Sequence, residues 1–349
     1  MDLLPTEEQQ HIVDSARHFL SNEFPVADAL NLMDGEVRIT RHDLPKFAEL
    51  GWFGIGLAEP HGGVGYGACE EALLFVELGR ELMPPSLLGG VLATRLAATA
   101  GADELKDELL EGRCKVALGC ARPGSGDFTN DYSHGEFLVY EAADADYVLL
   151  ANSQGSALLS LPEAGRTFAE YCIDPTISLS QLHLDNTGSH CHLSVNEEDL
   201  FLRGSLMVSA MLLGIAEATL DRSVDYAKER EQYGKPIGSF QAIKHYCAEM
   251  AIRCESVRAM LYHASITAEH AHDAARFDAH TLKALAIEAA QLNANTAVQI
   301  HGGMGYTQEM DIHLFVKRAQ ILASLFGGER FHLRQLLDQG RPDQGEPVQ

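Results

Sequence analysis

The stretch "QIHGGMGYTQEM", residues 299–310, decides how this chain is read. Gln299 and Ile300 close a predicted helix. Gly302 and Gly303 then allow positive φ or the close approach of another backbone. Alone, such a Gly-Gly pair is an ordinary helix-ending turn. A second stretch, "EREQYGKPIGSFQAIKH" at 229–245, gives it weight. It follows a long amphipathic helix, breaks at Gly234-Lys235-Pro236 and restarts near Ser239. Arg230, Lys235 and Lys244 make it a basic island, and helix starts and Arg side chains suit phosphate oxygens. Gln241 can hydrogen-bond a ring edge or a ribose. The plain alternative for this segment is a helical hairpin with solvated charges.

The island matters because the rest of the chain is acidic. The 349 residues carry a formal net charge of -24, with 46% hydrophobic and 22% charged residues. That length leaves room for about one to three domains with ample core. The acidic balance argues against general binding to nucleic acid or to an anionic membrane. Any anionic ligand therefore needs a local cluster of cations. No run approaches about 20 consecutive apolar residues, so no membrane span is expected. The start, "MDLLPTEEQQ", is acidic and polar, unlike a signal peptide. The seven cysteines (69, 114, 120, 172, 191, 247 and 254) are scattered and form no C-x-x-C. They read as buried thiols in a reducing cytoplasm.

Three textures divide the chain. Residues 1–112 read as a helical domain, opened by a Thr6/Gln9 capping box after Pro5. Residues 113–203 carry short apolar runs such as "KVALGCA", "EFLVYEA", "DYVLLANS" and "SALLSLPEAG", bounded by turn formers. They read as a small antiparallel β domain. Residues 204–340 return to helices. Leu213, Ala216, Leu220, Val224 and Ala227 recur at helical spacing, and further helices are expected at 241–269, 279–300, from 309, and around 329–338. Residues 341–349 are expected to form a disordered tail. The fold class is mainly α with a central β domain, closed by a helical bundle.

Together the two motifs are specific. Arg-x-x-(aromatic)-Gly-Lys, then Gln, then Gln-x-x-Gly-Gly-x-Gly-(aromatic) 58 residues further on, resembles the acyl-CoA dehydrogenase family. The "TEEQQ" start, the "LGWFGIGLAEPHGGVGYG" loop and the order of domains are similar to that family too, so the resemblance covers nearly the whole chain. It implies a closing four-helix bundle and FAD-dependent α,β-desaturation of an acyl-CoA thioester. In that reaction a Glu removes the α-proton while flavin N5 accepts the β-hydride. An acceptor of the electron-transfer flavoprotein type is implied as well. By resemblance, Arg230 and Gln241 touch the FAD pyrophosphate and adenosine half, and Gln299, Gly302 and Gly303 line the adenine side. Tyr233 is the motif aromatic, and Gln232 stands where the family often has a hydroxyl. In the family these groups reach a flavin held by a neighbouring subunit, so oligomerisation is part of the site.

The chain departs from the family pattern in several places. Where a Thr-Glu-Pro-Gly-x-Gly-Ser segment is expected, "CARPGSGDF" puts Ala121, Arg122 and Asp127 at the Thr, Glu and Ser positions. Where Trp-x-Thr/Ser is expected, alignment on "DYVLL" gives Phe137 and Val139, and the only tryptophan is Trp52. The two family positions for the base fall on Leu325–Gly328 and on Gly204, which cannot take a proton. Glu329 lies just beyond the first and is the one catalytic candidate. It suits a helix-start carboxylate equally well.

This pattern resembles the short partner subunit of heterotetrameric (α2β2) bacterial dehydrogenases that desaturate CoA-linked sterol or bile-acid side chains. Such a subunit lends FAD-binding groups to a partner and lacks its own base. One alternative is a self-sufficient homomer using Glu329. Another, a non-catalytic CoA-binding or structural relative, predicts loss of the Arg230 and Gln299 motifs, and both are present. No metal site is expected: "SHCHL" (His190, Cys191, His192) lacks a third ligand at suitable spacing. "GGVGYG" at 62–67 has the wrong spacing for a dinucleotide fingerprint. Asp221, Asp225 and Glu229 read as a solvated helix face.

Overall fold

The computed structural model describes residues 5–32, 37–128, 133–161, 167–188, 190–194, 199–270 and 274–339. The expected tail at 341–349 lies outside them. Helices α1 (Glu7–Glu23), α2 (Val26–Ala29), α3 (Leu44–Glu49), α4 (Ala68–Arg80), α5 (Ser86–Thr99) and α6 (Asp103–Leu110) come first. Strands β1 (Val116–Phe128), β2 (Ser133–Tyr140), β3 (Tyr147–Asn152), β4 (Gly155–Ser160), β5 (Thr167–Glu170), β6 (Leu179–Thr187) and β7 (Cys191–Ser194) follow. The chain then forms α7 (Leu200–Glu229), a hairpin of β8 (Glu231–Gln232) and β9 (Lys235–Pro236), α8 (Gln241–Glu269), α9 (Ala275–His301), α10 (Ile312–Ser324) and α11 (Glu329–Gln339). The capping box opens α1 as expected: Thr6 Oγ1 accepts from the Gln9 amide at 3.2 Å, and Gln9 Oε1 accepts from the Thr6 amide at 3.0 Å.

The chain packs as two compact units. One takes in Met1–Asn31, Ala68–Leu82 and Ser205–Gln349; the other takes in Leu32–Gly67 and Met83–Gly204. In the first, Leu213, Ala216 and Ala227 of the α7 stripe are buried. By length and composition α7 could cross a membrane, contrary to the sequence reading, but its apolar window is 78% buried inside the fold. It is a core helix. A Cβ on Gly214 would lie 2.0 Å from the Val76 carbonyl oxygen, and one on Gly79 would lie 2.1 Å from that of Met211. The glycines thus let α4 and α7 touch backbone to backbone. Above that seam, Glu217 accepts from Arg80 (3.1 Å) and Arg258 (2.7 Å), and Glu77 accepts from Arg17 (2.8 Å). Arg80 also meets Asp221 at 2.6 Å, so that carboxylate belongs to a network rather than to a merely solvated face. A separate apolar cluster of Met250, Ala297, Val298, Ile300 and Ile312, flanked by Tyr226 and Ile237, ties α7 to α10 together.

In the second unit the strands run in the order β5-β6-β2-β1-β3-β4-β7. The expectation of an antiparallel domain holds except at one pair: β1 and β3 are parallel, with Val116 opposite Tyr147. The cause is local. β2 ends at Tyr140, opposite Leu118 near the start of β1. The short link through 141–146 then carries the chain past that start. It is clamped there by the Asp146 amide donating to the Lys115 carbonyl (2.9 Å) and by Lys115 Nζ donating to the Ala143 carbonyl (2.8 Å). β3 therefore leaves in the direction of β1.

Candidate functional site

The basic island folds as a tight hairpin. Glu231 pairs with Pro236 and Gln232 with Lys235, leaving Tyr233 and Gly234 as a two-residue loop. Their φ values of 55° and 74° make a type I′ turn, the form whose twist suits a hairpin. The Ile237 amide donates to the Arg230 carbonyl at 2.8 Å, closing the hairpin against the end of α7. Lys235 Nζ sits 4.4 Å over the Phe240 ring, and α8 starts at Gln241.

Next to the hairpin, α9 ends at His301. Gly302 follows with φ 60° and ψ -137°, a region essentially reserved for glycine. Its amide still donates to the Val298 carbonyl. A Cβ on Gly302 or Gly303 would meet nothing within 4 Å, so this backbone faces open space. The two motifs meet in a cleft of about 410 Å³ lined by Arg230, Gln232, Gly302, Gly303 and Met304, with Tyr226, Ile237, Ile300 and His301 beneath. No carboxylate lines it, and Arg230 forms no ion pair among the described residues. An exposed guanidinium beside open glycine backbone suits an anion. Gln241, Gln299 and Tyr233 are exposed but do not line this cleft; Tyr233 is 93% exposed. Lys244 lines a separate apolar cleft with Val224, Ile243 and Cys247.

The sequence reading passed over two residues of the floor, His301 and Tyr226. Their rings stack at 4.3 Å with 22° between planes. His301 Nδ1 lies 2.8 Å from the Ala297 carbonyl oxygen. Burial holds the imidazole below its ordinary range. The signal was present: His301 lies inside the quoted Gly-Gly motif, and Tyr226 precedes Arg230 by one helical turn.

The loop between α10 and α11 has no proton acceptor at Leu325–Gly328, and a different set of side chains holds it. Lys283 is fully buried on α9 and donates to the Leu322 and Leu325 carbonyls, both at 3.0 Å. His332 Nε2 donates to the Phe326 carbonyl at 3.0 Å and to that of Gly327 at 3.2 Å. His332 Nδ1 in turn meets His280 Nδ1 at 2.8 Å. Burial pushes Lys283 well below the usual amine range. It lowers His280 to about 4, helped by Arg276, and His332 to about 3, helped by Lys283 and His280. Phe326 is buried at 6% exposure with φ 53°. The second base position, Gly204, lies buried in α7. Glu329 is exposed at the start of α11, on a shallow surface shared with Arg330, Leu333 and Arg334.

In the sheet unit, Phe137 and Val139 are both 0% exposed, packed with Val148, Leu150 and Leu182 in the inner core. Strand alternation puts Glu136 and Leu138 on the opposite face. Phe137 and Val139 are therefore core residues of this sheet. Ala121 and Arg122 are exposed, and Arg122 reaches Glu136 at 3.5 Å. The side chain of Asp127 lies outside the described residues. The cysteines are free thiols; Cys254 is buried, accepts from Asn293 Nδ2 at 3.3 Å, and is pushed up to about 12 by burial, which marks it as a packing residue. His190 and His192 are exposed.

Known proteins share this architecture. Residues 6–116 match the family model for the acyl-CoA dehydrogenase N-terminal domain, and residues 197–340 match that for the C-terminal domain. The chain is 33% identical over 290 residues to acyl-CoA dehydrogenase IpdE2 of Mycobacterium tuberculosis, covering 82% of this chain and 83% of that one. It is 31% identical to acyl-CoA dehydrogenase FadE34 of the same organism, covering 87% of this chain and 42% of that one. Among solved structures, the ChsE4-ChsE5 complex from Mycobacterium tuberculosis superposes with a TM-score of 0.84 at 24% identity, covering 97% of this chain and 98% of that one. Butyryl-CoA dehydrogenase from Megasphaera elsdenii superposes with a TM-score of 0.81 at 22% identity, covering 97% and 99%. With both terminal domains matched and 33% identity to IpdE2 sustained over 82% of this chain and 83% of that one, the protein belongs to the acyl-CoA dehydrogenase family.

Proposed function

We propose that this chain is one subunit of a hetero-oligomeric, FAD-dependent acyl-CoA dehydrogenase that introduces an α,β double bond into an acyl-CoA thioester. Its cleft at the hairpin completes the flavin site of a second, related subunit, and that subunit supplies the catalytic base. One observation carries the reading: Arg230, Gln232, Gly302 and Gly303 converge on one carboxylate-free cleft, while no carboxylate stands in the loop at Leu325–Gly328. The cleft fits the cofactor by its own chemistry. Arg230 holds a pyrophosphate oxygen against the net charge of the chain, and the open backbone at Gly302 and Gly303 lets a nucleotide lie close. Gln241 and Gln299 extend the contact at the rim. FAD, when bound, accepts the hydride that leaves the β-carbon.

The similarity to IpdE2 and FadE34, and the likeness to a structure containing two dehydrogenase-like chains, support a steroid-type acyl group and a heteromeric partner. The assembly works in the cytoplasm, without nucleic acid or a membrane span, and passes electrons to an acceptor of the electron-transfer flavoprotein type. The decisive experiment is flavin stoichiometry. The chain is purified alone and with a co-expressed dehydrogenase-like partner, and flavin absorbance per chain is measured. Little FAD alone and one FAD per pair of unlike chains in the complex is the expected result. A yellow, active homomer with one FAD per chain refutes the proposal.

A further inference from the structure

We infer that His301 is a built-in hydrogen-bond acceptor that recognises an N–H or O–H donor on the adenosine half of the cofactor, an inference that rests on the half-site reading above. The imidazole is only 4% exposed, yet it lines the cleft formed by Arg230, Gln232, Gly302 and Gly303. Nδ1 lies 2.8 Å from the Ala297 carbonyl oxygen, which only accepts, so Nδ1 carries the ring proton. Nε2 therefore holds a lone pair, and it takes no partner among the described residues. Tyr226 stacks on the ring and its hydroxyl reaches the His301 carbonyl oxygen at 3.5 Å. The acceptor is thus fixed in place before any ligand arrives. Arg230 offers only donors and His301 Nε2 only an acceptor. Together they match a molecule carrying both an anionic group and a hydrogen-bond donor. An adenine nucleotide satisfies both, with its phosphates as the anion and its exocyclic amine and ribose hydroxyls as donors set apart from them.

The neutral ring is a condition of this role, since protonated Nε2 becomes a donor. The charged and titratable groups around it are Arg222 and Tyr226 on α7 and Asp311 at the start of α10, with Arg230 sharing the cleft. Burial is the largest influence and favours the neutral ring; Arg222 adds to it, while Asp311 and the Ala297 bond oppose it. Arg222 and Asp311 also pair with each other at 2.9 Å, which moderates both.

The test uses the assembled complex stripped of flavin, titrated with FAD, ADP, 2′-deoxy-ADP and inosine diphosphate from neutral to mildly acidic pH. Loss of one neutral hydrogen bond should weaken FAD and ADP by about threefold to tenfold in His301→Leu. His301→Gln, whose side-chain oxygen also accepts, should recover most of that loss. Wild-type affinity should hold through the ordinary imidazole range and fall only below it, where the buried ring takes a proton, while His301→Gln stays flat. If His301→Leu erases a wild-type preference for ADP over inosine diphosphate, the exocyclic amine is the donor. If it erases a preference over 2′-deoxy-ADP, the ribose hydroxyl is. Arg230→Ala separates the two claims. If Arg230→Ala weakens FAD but His301→Leu does not, the His301 inference falls and the half-site stands. If neither variant weakens FAD, both fall. Equal loss in the Leu and Gln variants, with no change in nucleotide preference, also overturns the inference, because it leaves His301 a purely structural role.

Discussion

Acidification should loosen the loop between α10 and α11 through one pair of imidazoles. His280 and His332 are 4% and 0% exposed, and their Nδ1 atoms lie 2.8 Å apart. Because His332 Nε2 donates to the Phe326 and Gly327 carbonyls, its Nδ1 must accept, and His280 Nδ1–H must donate. A further proton either breaks that bond or enters a buried site beside Lys283 and Arg276. Burial holds the two rings at about 4 and about 3, whereas an unfolded imidazole titrates near about 6.5. Between these values the unfolded chain binds more protons than the folded one, so stability falls as pH drops from about 6.5 towards about 4. At about pH 5 each ring contributes a loss of about 2 kcal/mol, and the coupled pair about 2–4 kcal/mol. The assay is urea unfolding of wild type and His280→Leu at about pH 7 and about pH 5. His280→Leu should be less stable at neutral pH by about 1–3 kcal/mol, because His332 Nδ1 loses its donor. Its additional loss on acidification should be smaller than wild type's by about 2 kcal/mol. An identical acid-linked loss in both proteins refutes the argument.

Other perturbations separate site from scaffold. Glu329→Gln should leave turnover of the assembled enzyme within about twofold, because an exposed carboxylate of this kind contributes little to stability or binding; a large fall in kcat would restore Glu329 as the base. Gly214→Ala should destabilise the chain by about 1–3 kcal/mol, since its methyl collides with the Val76 carbonyl; an unchanged thermal midpoint would contradict the backbone contact. Gly302→Ala meets no atom within 4 Å, so its cost of about 1–3 kcal/mol is backbone strain alone. It should lower FAD content as well as stability, and retained flavin would argue against a role for that backbone in binding.

Much of the fold was legible in the sequence. Helical periodicity placed α8 at its observed bounds of Gln241–Glu269, and Gly-Lys-Pro and the glycine motif mark where α7 and α9 have ended. The parallel β1–β3 pair was not legible, because alternation reports which face of a strand is buried and says nothing of its direction. The cleft was half legible. Its donors are exposed polar residues in motifs, whereas Tyr226 and His301 look like core in a linear reading. The burial of Phe137 and Val139 was hidden for a related reason. Their spacing is compatible with either face of β2, and only the partners across the sheet decide between core and site.

The loop at Leu325–Gly328 is where these strands of reasoning meet. A segment that had lost a base by neglect would be free to vary in how it is held. Here three of its main-chain carbonyls, those of Leu325, Phe326 and Gly327, together with that of Leu322 in the last turn of α10, are captured by two buried side chains, Lys283 and His332. Each buried donor is costly unless it is satisfied, so these side chains stabilise the chain only while the loop keeps this conformation. Phe326 and Gly327 both take positive φ, and the non-glycine at 326 accepts strain of about 1–3 kcal/mol to remain there. The loop is therefore fixed rather than damaged. That accords with the proposal that Arg230 charges a cleft for a partner's cofactor and that the partner abstracts the proton.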